Sequence, residues 1–178
     1  PGQENELDVT DICDQYKMCA ELLSKIPKNI KLIICPGNHD AMRLAEPQLP
    51  IYKDFAEDIY NLPNAIMVSN PSVVNIHSVD NFPGFDVLIY HGYSFDFYLS
   101  GVESIRNLGG YDRVDLLMKF LLQKRHLAPS YTSTPYVPDT NCDSLVIEKI
   151  PDFFVTGHIH KSAVANYRGV TLISGSCW

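Results

Sequence analysis

The stretch IKLIICPGNHD, residues 30–40, decides the fold that we expect. Its first part, IKLIIC (30–35), is a short apolar run of the kind found in strands buried on both faces of a sheet. The polar residues PGNHD (36–40) follow directly. Because ligands of α/β sheets bind just beyond the carboxyl ends of the strands, the stretch predicts an α/β protein with Asn38 and His39 at a ligand-binding rim.

Two later segments share this design of an apolar strand followed at once by histidine. The run FDVLIY (85–90) is followed by HG (91–92), and DFFVT (152–156) is followed by GHIH (157–160). Three strands that end in this way would bring several nitrogen and oxygen donors to one rim. These donors are Asn38, His39, His91, His158 and His160.

The donor types suit a site for divalent metal ions. Neutral imidazole nitrogens and an amide oxygen are good ligands for zinc, iron and manganese. The spacing of His158 and His160 in an extended segment lets their side chains flank two ions. A lone histidine is more often a surface or hydrogen-bonded core residue, and we interpret His77 and His126 in that way. Isolated surface or core histidines do not explain the ordered set of three segments, each of which follows an apolar strand.

The rest of the chain is predicted to alternate between helices and strands. The predicted helices cover residues 8–26, 52–60 and 112–125, and Asp8 or Thr10 can cap the first. The predicted further strands cover residues 65–69, 73–77, 163–167 and 170–174. The Pro-, Ser-, Thr- and Tyr-rich residues 128–143 predict a long loop, either a lid or a partner-binding segment. We expect one α/β domain over residues 1–178, with its sheets covered on both sides.

Composition limits the classes of protein that remain. The 178 residues include 46% apolar and 20% charged residues, which are ordinary globular values. No apolar run approaches the ~20 residues of a membrane span. A net charge of −7 argues against a protein that binds nucleic acid through positive charge alone. It does not argue against a protein that binds phosphate groups through bound metal cations. Five cysteines without a C-x-x-C pair predict a reducing, cytoplasmic location.

The ordered motifs G-N-H-D, H-G and G-H-x-H resemble the last three motifs of the calcineurin-like metallophosphoesterases. That superfamily includes phosphatases, cyclic-nucleotide phosphodiesterases and nucleases. The resemblance implies a two-sheet sandwich flanked by helices, with two divalent ions at the site. Asn38, His91 and His158 would bind one ion, and His160 the other. His39 would protonate the leaving oxygen of the substrate, and Asp40 would orient His39 by a hydrogen bond to its ring.

A narrower resemblance covers most of the chain. Its segments are QENEL (3–7), PGNHDAMR (36–43) with EPQ (46–48), HGYSFD (91–96), KRHLAP (124–129) and YRG (167–169). They are similar to the small subunit of archaeal D-family DNA polymerases, and RHLAP is absent from the general phosphoesterase pattern. This resemblance implies a 3′–5′ exonuclease that acts on single-stranded DNA ends beside a large polymerase subunit. The expected metal is Mn²⁺, with Fe²⁺ or Zn²⁺ as alternatives.

The sequence departs from the superfamily pattern at its beginning. The first two motifs, D-x-H and G-D-x-x-D, do not precede Gly37, and Asp8, Asp11 and Asp14 do not match them. The chain starts PGQ without Met and ends directly after an apolar run, so we expect a piece truncated at both ends and weakly active on its own. One alternative is a scaffold subunit that lost the chemistry. Another is a phosphatase or cyclic-nucleotide phosphodiesterase of the same fold.

Several side chains are weaker candidates for contacts with DNA. Cations near the rim could hold flanking phosphates, and these are Arg43, Lys124, Arg125 and His126. A solvated surface charge is the competing interpretation for each. Tyr93 and Phe95 could stack an unpaired base, and core packing is the alternative for Phe95.

Overall fold

The computed structural model describes residues 6–176, so Cys177 and the start of the QENEL segment lie outside the described residues. The α-helices are α1 (Ile12–Leu23), α2 (Lys53–Tyr60), α3 (Phe95–Gly101), α4 (Glu103–Asn107) and α5 (Val114–Lys124), and a short 3-10 helix covers Gly110–Arg113. The strands are β1 (Leu32–Ile34), β2 (Ala65–Met67), β3 (Ser72–Ile76), β4 (Phe85–Tyr90), β5 (Phe153–Thr156), β6 (Ser162–Tyr167) and β7 (Val170–Gly175). No helix within this range is long and apolar enough to cross a membrane.

The larger sheet has five strands in the order β3-β4-β5-β7-β6. Its three central strands run parallel, with Leu88 opposite Phe154 and Phe154 opposite Leu172, whereas both edge strands pair antiparallel. Parallel β4 and β5 therefore end at the same edge of the sheet. There the backbone N–H of Gly157 donates to the carbonyl of His91 at 3.1 Å, which joins two of the predicted rim segments.

The smaller sheet pairs β1 with β2 in parallel, Leu32 opposite Ala65. Helices α1 and α2 pack with it around a second hydrophobic cluster that includes Tyr16, Ile51 and Ile59. The polar segment 36–40 leaves β1 at its carboxyl end, as predicted. The chain is thus a mixed α/β protein with two sheets and flanking helices.

Helix α5 buries the apolar stripe that its sequence predicts. Val114, Leu117, Met118 and Leu121 recur at helical spacing and are fully buried. They form one cluster with Phe154 and other residues of the larger sheet, and helix α3 contributes to the same cluster. This cluster holds one face of the sheet against the helices.

The opposite face of the larger sheet is more exposed. Val87, Ile89, Val155 and Ile173 lie on that face and keep part of their surface exposed in the described structure. The helices that contribute to the main cluster, α3, α4 and α5, pack on the other face. Within residues 6–176 this face is therefore only partly covered, in contrast to the buried face.

The beginning of α1 differs from its prediction. The cap is Asp11 rather than Asp8 or Thr10, because its Oδ1 accepts from the backbone N–H groups of Cys13 at 2.9 Å and Asp14 at 3.2 Å. The helix ends at Leu23, before the predicted residue 26. Helices α3 and α4 are absent from the prediction, since they have only seven and five residues and short helices leave little periodic signal in the sequence.

Leu121→Ala should lower the free energy of unfolding by about 2–5 kcal/mol, because it removes a fully buried side chain from the main cluster. Leu22→Ala is the matched control, since Leu22 is 61% exposed on α1 and its loss should cost less than about 0.5 kcal/mol. Denaturant unfolding of both variants measures the difference. Equal costs would contradict this description of the core.

Candidate functional site

Asp40 fixes the shape of the loop that carries Asn38. Its Oδ2 accepts from the backbone N–H of Gly37 at 2.7 Å, and its Oδ1 accepts from the Tyr16 hydroxyl at 2.6 Å. The Tyr16 oxygen in turn accepts from the N–H of Ala41 at 3.0 Å. Burial is the main cause that raises the pKa of Tyr16 above its usual range, so this hydroxyl stays a donor. The loop is therefore anchored to helix α1.

These bonds give Asp40 a role in the loop itself. Its two carboxylate oxygens accept from Gly37 and Tyr16 and thereby shape the loop, and its orientation of the His39 ring stays a prediction. His39 itself is exposed and lines an open cleft of about 670 Å³. His160 lines the same cleft. The structure thus brings His39 and His160 to one cavity with the other candidates.

His91 and His158 follow the parallel strands β4 and β5. The backbone N–H of His91 donates to the Asn70 side-chain oxygen at 2.7 Å. His158 has φ 60°, in the left-handed region that non-glycine residues rarely occupy. Such backbone conformations persist where surrounding structure holds them and concentrate at functional sites.

Three donor atoms converge where the loops meet. The Asn38 Oδ1 atom lies 2.6 Å from His91 Nε2 and 3.3 Å from His158 Nδ1. The two imidazole rings are 5.1 Å apart between centroids and inclined at 70°. A Cβ atom at Gly37 would lie 2.8 Å from Cε1 of His91, so glycine is required for this close approach.

His91 is held in the neutral form that a metal ligand needs. Burial, followed by the neighbouring His158, lowers the pKa of His91 to about 4. At neutral pH one ring nitrogen therefore keeps its lone pair, while Nε2, 2.6 Å from the acceptor Asn38 Oδ1, carries the ring proton that a metal ion bound at Nε2 would replace. Within residues 6–176, no group of three His, Cys, Asp or Glu side chains is placed to hold a metal ion. The converging set instead combines two imidazoles with the amide of Asn38, a donor set that fits manganese, iron or zinc.

The comparisons with known proteins agree with the narrower of the two resemblances. The model of the family described as the B subunit of DNA polymerases alpha and epsilon matches residues 5–164. The chain belongs to this family. It is 42% identical over 175 residues to the DNA polymerase II small subunit of Methanothermobacter thermautotrophicus. The matched region covers 98% of this chain and 34% of that protein.

Two further small subunits match over the full chain. Identity is 41% over 179 residues with the DNA polymerase II small subunit of Pyrococcus furiosus, of which 27% is covered. It is 40% over 178 residues with that of Halobacterium salinarum, of which 33% is covered. The chain therefore spans about a third or less of these relatives. The predicted polymerase-subunit family is confirmed, whereas the metallophosphoesterase fold and chemistry stay predictions.

The family match does not show which residues contact DNA. In the structure, two of the predicted DNA-contacting residues, Arg43 and Arg125, do not line the cleft. The Arg43 guanidinium donates to the carbonyl of Pro47 at 2.6 Å. Arg125 caps α5 in a left-handed conformation and donates to the carbonyls of Ile147, at 2.6 Å, and Glu148. The Arg43 side chain thus stabilises its own loop, and that of Arg125 joins the end of α5 to residues 147–148.

Aromatic candidates are divided between site and core. The Tyr93 ring lies 5.6 Å from the His158 ring, beside the converging donors, whereas Phe95 is fully buried in the main cluster. Lys124 lies over the Phe120 ring, and His126 pairs with Asp143 at 2.9 Å. His126 is thus hydrogen-bonded, as we interpreted it.

Residues 128–143 form the predicted irregular loop and line a separate pocket of about 710 Å³ together with His126 and Leu145. The loop is tied to the body of the protein by the backbone of Glu46, which donates to the carbonyl of Pro135 and accepts from the N–H of Val137, both at 2.8 Å. Its role as a lid or as a partner-binding segment stays a prediction.

A residue of the cleft that the sequence does not single out is Asp96, in the first turn of α3. Its Oδ2 lies 2.8 Å from His158 Nε2, and the Tyr111 hydroxyl donates to its Oδ1 at 2.8 Å. Asp96 and Tyr111 both line the cleft. The available signal was the HGYSFD segment, which places a carboxylate shortly after His91.

A buried polar network holds the two loops of the site together. Glu46, Asn70 and Tyr90 are fully buried; the Glu46 carboxyl accepts from the Tyr90 hydroxyl at 2.9 Å and from the Asn70 amide at 3.3 Å. Asn70 also donates to the Gln48 side-chain oxygen at 2.7 Å, and Gln48 donates to the carbonyl of Gly37 at 3.2 Å. The network therefore reaches both the Gly37 loop and the backbone of His91.

Glu46→Gln should make stability less dependent on pH. Burial raises the pKa of Glu46 from 4.5 to about 7, despite hydrogen bonds that lower it. The folded state thus binds the proton more tightly, so this stabilisation is complete below pH ~4.5 and lost as the pH rises through about 7. The shift corresponds to at most about 3 kcal/mol.

The measurement is the free energy of unfolding of both proteins at pH 5 and pH 8. The free energy of unfolding of the variant minus that of the wild type should be larger at pH 8 than at pH 5. Glu57→Gln, at an exposed position on α2, is the matched control and should show no such gain. A wild-type-like pH dependence in Glu46→Gln would contradict the assignment of this titration to Glu46.

Proposed function

We propose that this chain forms part of an accessory subunit of a DNA polymerase, and that its cleft binds divalent metal and hydrolyses phosphodiester bonds at the 3′ ends of single-stranded DNA. The accessory role has the more direct support. The family and its relatives are named as subunits of DNA polymerases, and those names state no hydrolase activity. A small subunit implies a large catalytic subunit as its partner.

The observation that supports metal binding is the convergence of Asn38 Oδ1, His91 Nε2 and His158 Nδ1. In this proposal these three atoms hold one divalent ion, with Mn²⁺ as the first candidate. His160, exposed on the lining of the same cleft, is the candidate ligand of a second ion. When bound, such ions polarise a phosphoryl oxygen and lower the pKa of a bound water.

The remaining side chains have roles that follow from their positions. His39 is exposed on the cleft, where its ring N–H can donate a proton to the departing 3′ oxygen. The ring of Tyr93, beside His158, is placed to stack the terminal base of an unpaired strand. Asp40 keeps the loop of Asn38 and His39 in shape through Gly37 and Tyr16.

A second candidate function is a scaffold whose cleft performs no chemistry. The observation in its favour is that the described residues contain no group of three His, Cys, Asp or Glu side chains placed for a metal. Under this proposal the converging side chains serve packing and hydrogen bonding, and the chain contributes only its contact with the large subunit. The two candidates differ in one measurable property, which is metal binding.

The test compares the full-length wild type with His39→Ala, His91→Ala and the control His77→Ala, whose exposed histidine lies outside the cleft. Bound manganese is measured by elemental analysis, and degradation is followed on 5′-labelled single-stranded DNA. His91→Ala should lose both metal and activity. His39→Ala should keep its metal and lose about 10²–10⁴-fold in turnover. His77→Ala should match the wild type.

Equal loss of metal in His39→Ala and His91→Ala would contradict the separate roles given to these residues. A wild-type protein that assembles with the large subunit, binds no manganese and leaves DNA intact would establish the scaffold in place of the nuclease.

A further inference from the structure

Asp96 holds the ring of His158 from the side opposite to Asn38. Its Oδ2 lies 2.8 Å from Nε2 of His158, while Nδ1, the other ring nitrogen, lies 3.3 Å from Asn38 Oδ1. The two nitrogens of one imidazole thus face two different oxygen atoms. Each contact constrains what the other nitrogen can do, because a neutral imidazole carries a single N–H.

The carboxylate selects one tautomer of neutral His158. An ionised carboxylate only accepts hydrogen bonds, so the ring proton must reside on Nε2 and point at Asp96. Nδ1 then presents a lone pair to Asn38 Oδ1, which is itself an acceptor. Two acceptors that face each other at 3.3 Å repel unless a cation or a donor lies between them.

Asp96 is itself well positioned for this task. The Tyr111 hydroxyl donates to its other oxygen, Oδ1, at 2.8 Å. The preceding residues Ser94 and Phe95 are fully buried, and the Ser94 hydroxyl donates to the carbonyl of Leu127 at 2.7 Å. The carboxylate therefore extends from an anchored helix start into the cleft.

We propose that Asp96 is a positioning residue that fixes His158 with its Nδ1 lone pair turned toward Asn38 and thereby sets the affinity of the cleft for a divalent cation. This inference rests on the proposed metal site. Carboxylates that accept from the remote nitrogen of a metal-binding histidine contribute about 10–100-fold in metal affinity. Asp96 has the geometry of such a partner without being a member of the converging donor set.

The first experiment titrates Mn²⁺ into the metal-free, full-length protein and follows binding by calorimetry. Asp96→Ala should bind about 10–100-fold more weakly than the wild type. Asp112→Ala is the matched control, because Asp112 is an exposed aspartate near Tyr111 that pairs with Lys161 at 2.9 Å. It removes the same charge without a bond to His158, and its affinity should stay close to that of the wild type.

The second experiment needs no metal. In protein labelled with ¹⁵N-histidine, the wild type should show a protected, low-field proton on Nε2 of His158, assigned by its absence in His158→Gln. Asp96→Ala should lose that signal, since the Nε2 proton of His158 then exchanges with water. Tyr111→Phe should keep it, because the Asp96–His158 bond remains.

The outcomes separate this inference from the proposed function. If the wild type binds Mn²⁺ and Asp96→Ala binds it equally well, the positioning role is wrong while the metal site stands. An unchanged Nε2 proton signal in Asp96→Ala would also overturn the inference. If the wild type binds no Mn²⁺ at all, the proposed metal site fails, and the role of Asp96 in metal affinity fails with it.

Discussion

The arrangement of the cleft depends on the buried hydrogen bonds among Glu46, Asn70 and Tyr90. The two hydrophobic clusters of the described structure are separate, one around α5 and the larger sheet, the other around α1, α2 and the smaller sheet. The network lies between their loops, reaching Gly37 through Gln48 and the His91 backbone through Asn70. Buried polar groups are costly unless they are bonded, so each member constrains its neighbours. A shift of either loop would leave a buried acceptor without its donor.

With the loops fixed, strand order determines which side chains meet. Parallel pairing of β4 with β5 brings His91 and His158 to one edge, and the lack of a Cβ at Gly37 lets the Asn38 loop approach them closely. The site also holds features that do not favour stability by themselves. His158 is in a left-handed conformation, and its Nδ1 faces the oxygen of Asn38 when Nε2 carries the proton. Features of this kind are expected where a fold preserves a binding site.

Strand ends and helix stripes could be predicted from the sequence because burial leaves a periodic signal, as in β4 and α5. The meeting of Asn38, His91 and His158 followed from the position of each behind such a strand. Asp96 could not be found in this way, since α3 has only seven residues and Asp96 is an exposed polar residue beside the buried Phe95. The hydrogen-bond partners of Asp40 and Arg125 could not be predicted from the sequence either. Their hydrogen bonds join residues that are distant in the chain, as Asp40 with Tyr16 and Arg125 with Ile147.

The chain belongs to a family of DNA polymerase subunits. We propose further that its cleft binds a metal ion and that its converging side chains do more than pack and form hydrogen bonds. The most direct test is a crystal structure of the full-length protein grown with Mn²⁺, with anomalous scattering recorded at the manganese edge. We expect an anomalous peak in contact with Asn38 Oδ1, His91 Nε2 and His158 Nδ1. Ordered side chains at these three positions with no peak between them, at saturating Mn²⁺, would contradict the proposal of a metal centre.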